Sequence, residues 1–106
     1  MPTFQDNQGR TWTITATPPG LRRVRDLLGI DLTVSGQAGF REFNKLADDP
    51  MLLVNTLYVL CQEQADAAGV SDEEFGQSLV GYAIEDATRA MLGAFRMRRT
   101  AKEFRR

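Results

Sequence analysis

The stretch of residues 48–75 constrains the fold of this chain more than any other part of the sequence. Asp49 followed by Pro50 has the pattern of an N-cap with a proline at the first helical position. The run that follows is apolar over most of its circumference and polar only along one edge. Such a helix is buried on nearly all sides, so the pattern predicts a central core helix over residues 50–68, ended by Gly69.

The inward side of this core helix follows from the helical period. It is predicted to carry Leu53, Leu57, Leu60, Cys61 and Gln64, widened by Val54, Tyr58 and Ala65. Leu57 lies near the middle of the helix, where burial should be greatest.

A capping box opens the following helix. Ser71 and Glu74 have the required spacing, with Ser71 capping the helix and Glu74 reaching back. The acids at residues 72–74 therefore indicate a helix start, rather than paired carboxylates for acid–base chemistry or cation binding. Helices are predicted at about 72–81 and 83–95. Their inward positions are Phe75, Ser78, Leu79 and Tyr82 in the first, and Ile84, Ala87, Met91, Leu92 and Phe95 in the second.

Residues 3–16 predict a β-hairpin. Gly9 supplies the positive φ that the turn requires. Trp12 and Ile14 alternate with threonines in the second strand, which is typical of a half-buried strand. Because an isolated hairpin is marginal in water, its apolar face must pack on helices, with Phe4 and Trp12 as anchors.

Two more helices are predicted between the hairpin and the core helix, at about 19–28 and 36–46. Their apolar stripes are Leu21, Val24, Leu27 and Leu28 in the first, and Phe40, Phe43 and Leu46 in the second. Ser35 is the candidate N-cap of the second. Residues 30–34 alternate and form either a short third strand or a buried connection.

These elements predict an α+β fold that is mostly α-helical. An N-terminal β-hairpin packs on a bundle of four to five helices. A chain of 106 residues is expected to form one domain, here over residues 1–95. Residues 96–106 form a basic C-terminal extension that the core does not need.

The residue types of this chain argue against several kinds of catalytic and metal site. The chain has no histidine, so the commonest general base and the commonest zinc ligand are both missing. The single cysteine, Cys61, lies in the most apolar helix and is expected to be a buried small hydrophobe. The glycines show no phosphate-binding spacing. We therefore expect no enzyme activity, no catalytic residues, no cofactor and no metal.

Charge is divided unevenly along the chain. Residues 1–95 carry seven Lys/Arg against thirteen Asp/Glu, and residues 96–106 carry six against one. The basic extension is a solvated helix end, a docking tail that folds on a protein partner, or a nucleic-acid contact. The opposite charges of body and extension also allow a homo-oligomer.

The candidate partner-binding residues are basic or aromatic. They are Arg22, Arg23, Arg25, Tyr82, Arg96, Arg98, Arg99, Lys102, Arg105 and Arg106. The three arginines of the first helix are either a solvated surface or a docking face for an acidic partner. The sequence shows no signal peptide, and the apolar run 51–61 is too short to span a bilayer, so we expect a cytoplasmic protein without membrane contact.

The order of the structural signals is similar to that of a known family. The landmarks are Phe4-x-Asp6, Gly9-Arg10-Thr11-Trp12-x-Ile14, Arg22-Arg23-Val24, Gly29-Ile30-Asp31-Leu32, Asp49-Pro50, Leu57-Tyr58-x-Leu60, Gln64-Ala65 and Gly69-Val70-Ser71-x-Glu73-x-Phe75, before a closing helix with Ala83, Ala87 and Ala90. Over residues 3–95 this pattern resembles the tail assembly chaperones of long-tailed bacteriophages and prophages.

The resemblance implies a non-enzymatic morphogenesis protein in the host bacterial cytoplasm. Such proteins bind the tape-measure protein and tail-tube subunits. The arginine-rich extension after Phe95 departs from the family pattern, which has a more ordinary helix end. The alternative function is a small regulatory protein that binds nucleic acid through this basic C-terminal tail.

Overall fold

The computed structural model describes residues 2–34 and 36–104, with side chains described at 2–34 and 36–94. These residues form two strands and six helices. They are β1 (Thr3–Gln5), β2 (Thr11–Thr13), α1 (Pro18–Leu28), α2 (Gly36–Asp48), α3 (Pro50–Leu60), α4 (Gln62–Ala68), α5 (Asp72–Gln77) and α6 (Tyr82–Phe104). The predicted α+β, mostly helical class is confirmed.

The N-terminal hairpin packs its apolar side on the helices. β1 and β2 are antiparallel, with Phe4 directly opposite Trp12. Both side chains are buried, and so is that of Ile14 beyond the end of β2. The strands are shorter than the predicted hairpin of residues 3–16, but the N–H of Ile14 still donates to the carbonyl of Pro2 at 3.0 Å.

The core is centred on Phe75 of α5. Its ring makes edge-to-face contacts with Trp12, Tyr58 and Phe4, at centroid distances of 5.0, 5.5 and 6.5 Å. Such arrangements bring the positive edge of one ring to the negative face of another. Leu57 of α3 is completely buried, as its place in the sequence predicts. The hairpin, α3 and α5 thus share one core.

The predicted helix over residues 50–68 is two helices. Asp49 caps α3 by accepting from the N–H of Leu52 at 3.2 Å. At Cys61 the N–H is shared between the carbonyls of Leu57 and Tyr58, at 2.9 and 3.1 Å, which tightens the turn and separates α3 from α4. The break raises the helix count above the four to five expected.

The predicted helix over residues 72–81 ends four residues early, at Gln77. Ser71 caps the helix by accepting from the N–H of Glu74 at 3.1 Å. Among the described hydrogen bonds, the Glu74 carboxylate does not accept from the N–H of Ser71 in return. Gly81 then adopts a φ of 62°, which turns the chain before α6. Tyr82, predicted to face inward, therefore lies on the surface.

The segment from α1 to α2 buries fewer side chains than its stripes predict. Residues 30–34 form a connection without a strand, and Ile30 and Leu32 are buried in it. Leu27 of α1 is exposed, and so is Phe40, because α2 buries only Leu46 completely and leaves its first turns outside the core. Ser35, the expected N-cap of α2, lies outside the described residues.

The last helix, α6, is 23 residues long, which corresponds to about 34 Å. Its buried side is built mainly from small residues, which allow it to approach β1 closely. These residues are Ala83, Ala87, Met91 and Ala94. Leu92, expected to face inward, is 44% exposed, and the side chain of Phe95 lies outside the described ones. The helix continues without a break from the core into the basic extension.

Candidate binding surfaces

A buried carboxylate organises the hairpin turn. Asp6 accepts four hydrogen bonds: from Trp12 Nε1 at 2.9 Å, from Arg10 Nε at 2.7 Å, and from the backbone N–H groups of Gln8 and Arg10 at 2.9 and 3.0 Å. The Arg10 guanidinium also lies 5.9 Å from the centroid of the Trp12 ring. The charge is thus paired and fully hydrogen-bonded, as a buried charge must be.

The pKa of Asp6 reflects two opposing influences. Burial is the largest single one and by itself raises the pKa of the carboxyl group. The hydrogen bonds from Trp12, Arg10 and Gln8 stabilise the charged form and together outweigh burial, so the pKa lies below its usual value. Asp6 is therefore a structural anion rather than a proton donor at neutral pH.

The same turn is attached to the connection between α5 and α6. The N–H of Asn7 donates to the carbonyl of Ser78 at 2.9 Å, and its side-chain amide donates to the carbonyl of Val80 at 3.2 Å. These bonds hold the hairpin against the start of α6. They also fix the backbone just before Tyr82.

The outer edge of β2 is closed by one side chain from α4. Gln64 Nε2 donates to the carbonyl of Thr11 at 2.7 Å, and Gln64 Oε1 accepts from the N–H of Thr13 at 3.0 Å. The amide therefore pairs with β2 as a backbone peptide of a third strand would. An edge covered in this way does not pair with other chains.

The opposite edge, on β1, borders a groove. Its lining residues are Thr3, Phe4, Gln5 and Thr11 from the hairpin and Asp86, Arg89 and Ala90 from α6. Arg89 and Asp86 form an exposed ion pair at 3.6 Å. The groove has a volume of about 430 Å³ and opens to solvent.

The basic face predicted on α1 is divided by burial. Arg22 and Arg25 are exposed, and Arg25 lies 3.6 Å from Asp26. Arg23 is half-buried, and its Nε lies out of solvent with no partner among the described residues. Two of the three arginines are therefore exposed to a partner, and one of these two, Arg25, also lies near an acid of its own helix.

Large apolar side chains are exposed at several separate points. Tyr82 is 85% exposed, Met51 76%, Phe40 68% and Leu27 66%. Aromatic side chains are enriched at protein interfaces. Tyr82 is the one aromatic residue among those predicted as partner-binding, and it is almost fully exposed.

The candidate residues of the C-terminal extension share one helix. Arg96, Arg98, Arg99 and Lys102 lie in α6, which continues to Phe104. Their side chains lie outside the described ones. Arg105 and Arg106 lie outside the described residues altogether. The α1 arginines and the residues of the extension therefore belong to different helices. The described side chains do not bring the predicted residues together in one site.

The one cysteine is placed as expected for a core residue. Cys61 is buried, and its Sγ lies 3.7 Å from the carbonyl of Thr13. Burial raises the pKa of the Cys61 thiol to about 12, so the thiolate does not form near neutral pH.

The described part of the chain has neither a cluster of metal-ligating side chains nor a helix that could span a membrane. Among these residues, no group of three or more cysteine, aspartate or glutamate side chains is placed so that it could hold a metal ion. Among residues 2–34 and 36–104, no helix combines the length and hydropathy needed to traverse a bilayer.

Two structural roles were not predicted from the sequence. The first is that of Asp6, whose residue type suits a turn, and no local pattern indicates that its carboxylate accepts a hydrogen bond from the indole of Trp12. Gln64 is predicted on the inward side of the core helix but is exposed in the structure, where its side-chain amide meets the edge of β2. A glutamine within an apolar helical stripe is the signal for such a partner, because a polar side chain there needs a hydrogen bond.

No protein-family model, no curated protein and no solved structure matches the chain.

Proposed function

We propose that this protein is a non-enzymatic tail assembly chaperone of a long-tailed bacteriophage or prophage. It acts by reversible binding of the tape-measure protein and tail-tube subunits in the cytoplasm of the host bacterium. The order of structural signals over residues 3–95 supports the family assignment. Three of these landmark residues, Trp12, Leu57 and Phe75, are buried. Their burial agrees with the view that the landmarks mark a fold rather than a catalytic site.

The exposure of Phe40 and Tyr82 carries the protein-binding part of the proposal. Each side chain is more than two-thirds exposed, whereas the other aromatic side chains among residues 2–34 and 36–94 are buried in the core or packed against it. Burying one such side chain in a partner contributes about 1.5–3 kcal/mol, which is enough to select a surface for binding. Reversible binding through a few such anchors suits a chaperone that must release its client.

Co-purification tests the proposal directly. The tagged chain is expressed with the tape-measure and tail-tube proteins encoded beside it, and each is expected to be captured. Phe40→Asp and Tyr82→Asp should reduce capture. Gln37→Asp is the matched control, because Gln37 is an exposed residue of the same helix as Phe40. Absence of capture of both proteins by the wild-type chain refutes the proposal.

A second candidate function is nucleic-acid binding through the C-terminal extension. Six of its eleven residues are basic, and α6 carries most of them on one continuous helix. Phosphate binding of this kind weakens steeply as salt rises. A mobility shift at low salt that disappears at high salt, and that is lost without residues 96–106, favours this candidate over the chaperone.

A further inference from the structure

One side of α3 is apolar but is left open by residues 2–34 and 36–94. Met51, Val54 and Tyr58 recur at the i, i+3 and i+7 positions that share one face of a helix, and we call them the α3 stripe. Met51 is 76% exposed, and Val54 and Tyr58 are only partly buried. A helix that is apolar over most of its circumference is normally buried all round. The α3 stripe is therefore a surface suited to a further contact.

Acidic side chains lie at both ends of the α3 stripe. Asp49, the N-cap of α3, directly precedes the turn that carries Met51. At the other end, burial raises the pKa of the Tyr58 hydroxyl, and the charges of Asp66 and Asp72 raise it further. Both carboxylates therefore lie near that hydroxyl. The stripe is apolar in its middle and negatively charged at its ends.

The part of the chain around the stripe has no positive charge to balance these acids. Residues 46–88 contain nine Asp/Glu and no Lys/Arg. Of the nine, only Asp86 forms an ion pair with a described side chain, that of Arg89 at 3.6 Å. A surface of this kind attracts a positively charged partner and repels a negatively charged one.

The basic extension of the same chain has the complementary character. Residues 96–106 carry six Lys/Arg against one Asp/Glu. Met97, Ala101 and Phe104 occur there at the i, i+4 and i+7 spacing of an apolar helical stripe, and α6 is helical as far as Phe104. Amphipathic helices are recognised by laying such a stripe on an apolar surface of a partner. The extension thus combines the helical form, the apolar spacing and the charge that fit the α3 stripe.

The length of α6 favours a contact with another copy over one within the chain. Ala94 is the last described buried residue of α6, and Phe104 lies about 15 Å further along the helix axis. An unbroken helix cannot fold back onto its own chain. A second copy, in contrast, supplies one acidic face for every basic extension.

We propose that the chain forms a dimer in which the basic end of α6 of each copy docks on the α3 stripe of the other. In this dimer the extension covers Met51, Val54 and Tyr58, and its positive charge faces Asp66 and Asp72. Reciprocal docking closes the assembly with two equal contacts. The inference concerns self-association and does not depend on the proposed function.

Charge exchange between two full-length variants tests the dimer. Asp66→Lys combined with Asp72→Lys reverses the charge beside Tyr58, and Arg98→Glu combined with Lys102→Glu reverses charge in the extension. Each double variant alone is expected to dimerise at least tenfold more weakly than wild type in sedimentation equilibrium at low salt. Their equimolar mixture should restore the dimer, because each reversed surface then meets a reversed partner. Restoration also shows that both variants are folded.

A second pair of variants tests the apolar part of the contact. Met51→Gln removes an exposed apolar side chain from the α3 stripe without adding charge, and should weaken the dimer about tenfold. Leu27→Gln is the matched control, because Leu27 is also an exposed apolar side chain but belongs to α1. It should leave the dimer unchanged. Added salt should weaken the wild-type dimer by screening the charges.

Four results would overturn the inference. The first is a wild-type chain that stays monomeric at low salt over the whole accessible concentration range. The second is a dimer that survives both charge reversals, or a mixture of the two variants that does not restore it. The third is equal weakening by Met51→Gln and Leu27→Gln. The fourth is a monomer in which Met51→Gln reduces capture of a tail protein, since the stripe would then belong to that protein.

Discussion

The carboxylate of Asp6 and the indole nitrogen of Trp12 form a buried hydrogen bond of 2.9 Å that anchors the hairpin to the core. Trp12 in turn packs edge-on against Phe75 of α5. A polar bond made by the turn therefore orients the aromatic side chain on which the hairpin rests. Removing one partner leaves the other buried without its hydrogen bond, which is the costly case.

Asp6→Asn should lower the free energy of unfolding and should also weaken the dependence of that free energy on pH. Because the pKa of Asp6 is lowered in the fold from 3.8, the unfolded chain binds this proton first as pH falls. The stabilisation is thus complete above the unfolded value and is lost as pH drops through the folded value. Thermal melts from pH 6 to pH 2 should show a shallower decline for Asp6→Asn than for wild type. The exposed Asp26→Asn serves as control, and identical slopes for Asp6→Asn and wild type would contradict the prediction.

Truncating Leu57 should destabilise the fold strongly. The side chain is completely buried in α3, so Leu57→Ala removes apolar contacts and leaves a cavity, at a cost of about 2–5 kcal/mol. Leu27→Ala makes the same chemical change at an exposed site and should cost less than about 0.5 kcal/mol. Urea unfolding of both variants measures the difference. Equal midpoints for the two would mean that α3 does not face the core as described.

Gln64 should protect the edge of β2. Gln64→Ala removes two hydrogen bonds to the strand and should cost about 1–2 kcal/mol. The Thr13 amide should also exchange faster with solvent. Gln64→Glu separates the two bonds, because a carboxylate still accepts from Thr13 but no longer donates to the carbonyl of Thr11. Glu63→Ala is the exposed control on the same helix, and an unchanged Thr13 exchange rate in Gln64→Ala would rule out the edge-covering role.

Cys61 should resist thiol reagents in the folded protein. Burial raises its pKa from 9.0 to about 12, so the reactive thiolate is scarce at pH 8. Iodoacetamide should label the chain only after denaturation. The raised pKa also means that its contribution to stability is present below pH 9 and lost as pH rises toward 12. Cys61→Ala should show less of this alkaline loss, and rapid labelling of the native chain would contradict the buried placement.

Deleting residues 96–106 should leave the fold nearly intact. The described buried side of α6 reaches Ala94, and the extension adds a charge of +5 with like charges at helical spacing, which oppose helix formation. We expect a melting temperature within a few degrees of that of the full chain. A truncated chain that fails to fold would show that the extension belongs to the core. Unchanged stability with lost binding of a partner would instead identify it as a docking tail.

Local signals determined much of this architecture. Asp49 and Ser71 cap α3 and α5 through bonds to residues three positions ahead, so the chain segment itself contains both partners. Gly69 ends α4 with a positive φ for the same local reason. Alternation around Trp12 likewise identified the strand and its buried side, because a strand's side chains alternate whatever it packs against.

Only the tertiary structure decided which distant residues hydrogen-bond to each other and which side chains remain on the surface. Gln64 meets Thr11 and Thr13 across about fifty residues of chain, and no local pattern states which strand edge it will reach. Phe40 and Tyr82 have the spacing of core residues yet lie in solvent, because α2 leaves its first turns outside the core and Gly81 redirects the chain. Period and capping depend on neighbours in sequence, whereas burial and pairing depend on which elements meet. The sequence therefore determined the elements and most of the core, and packing determined the covered edge of β2 and the exposed aromatic residues.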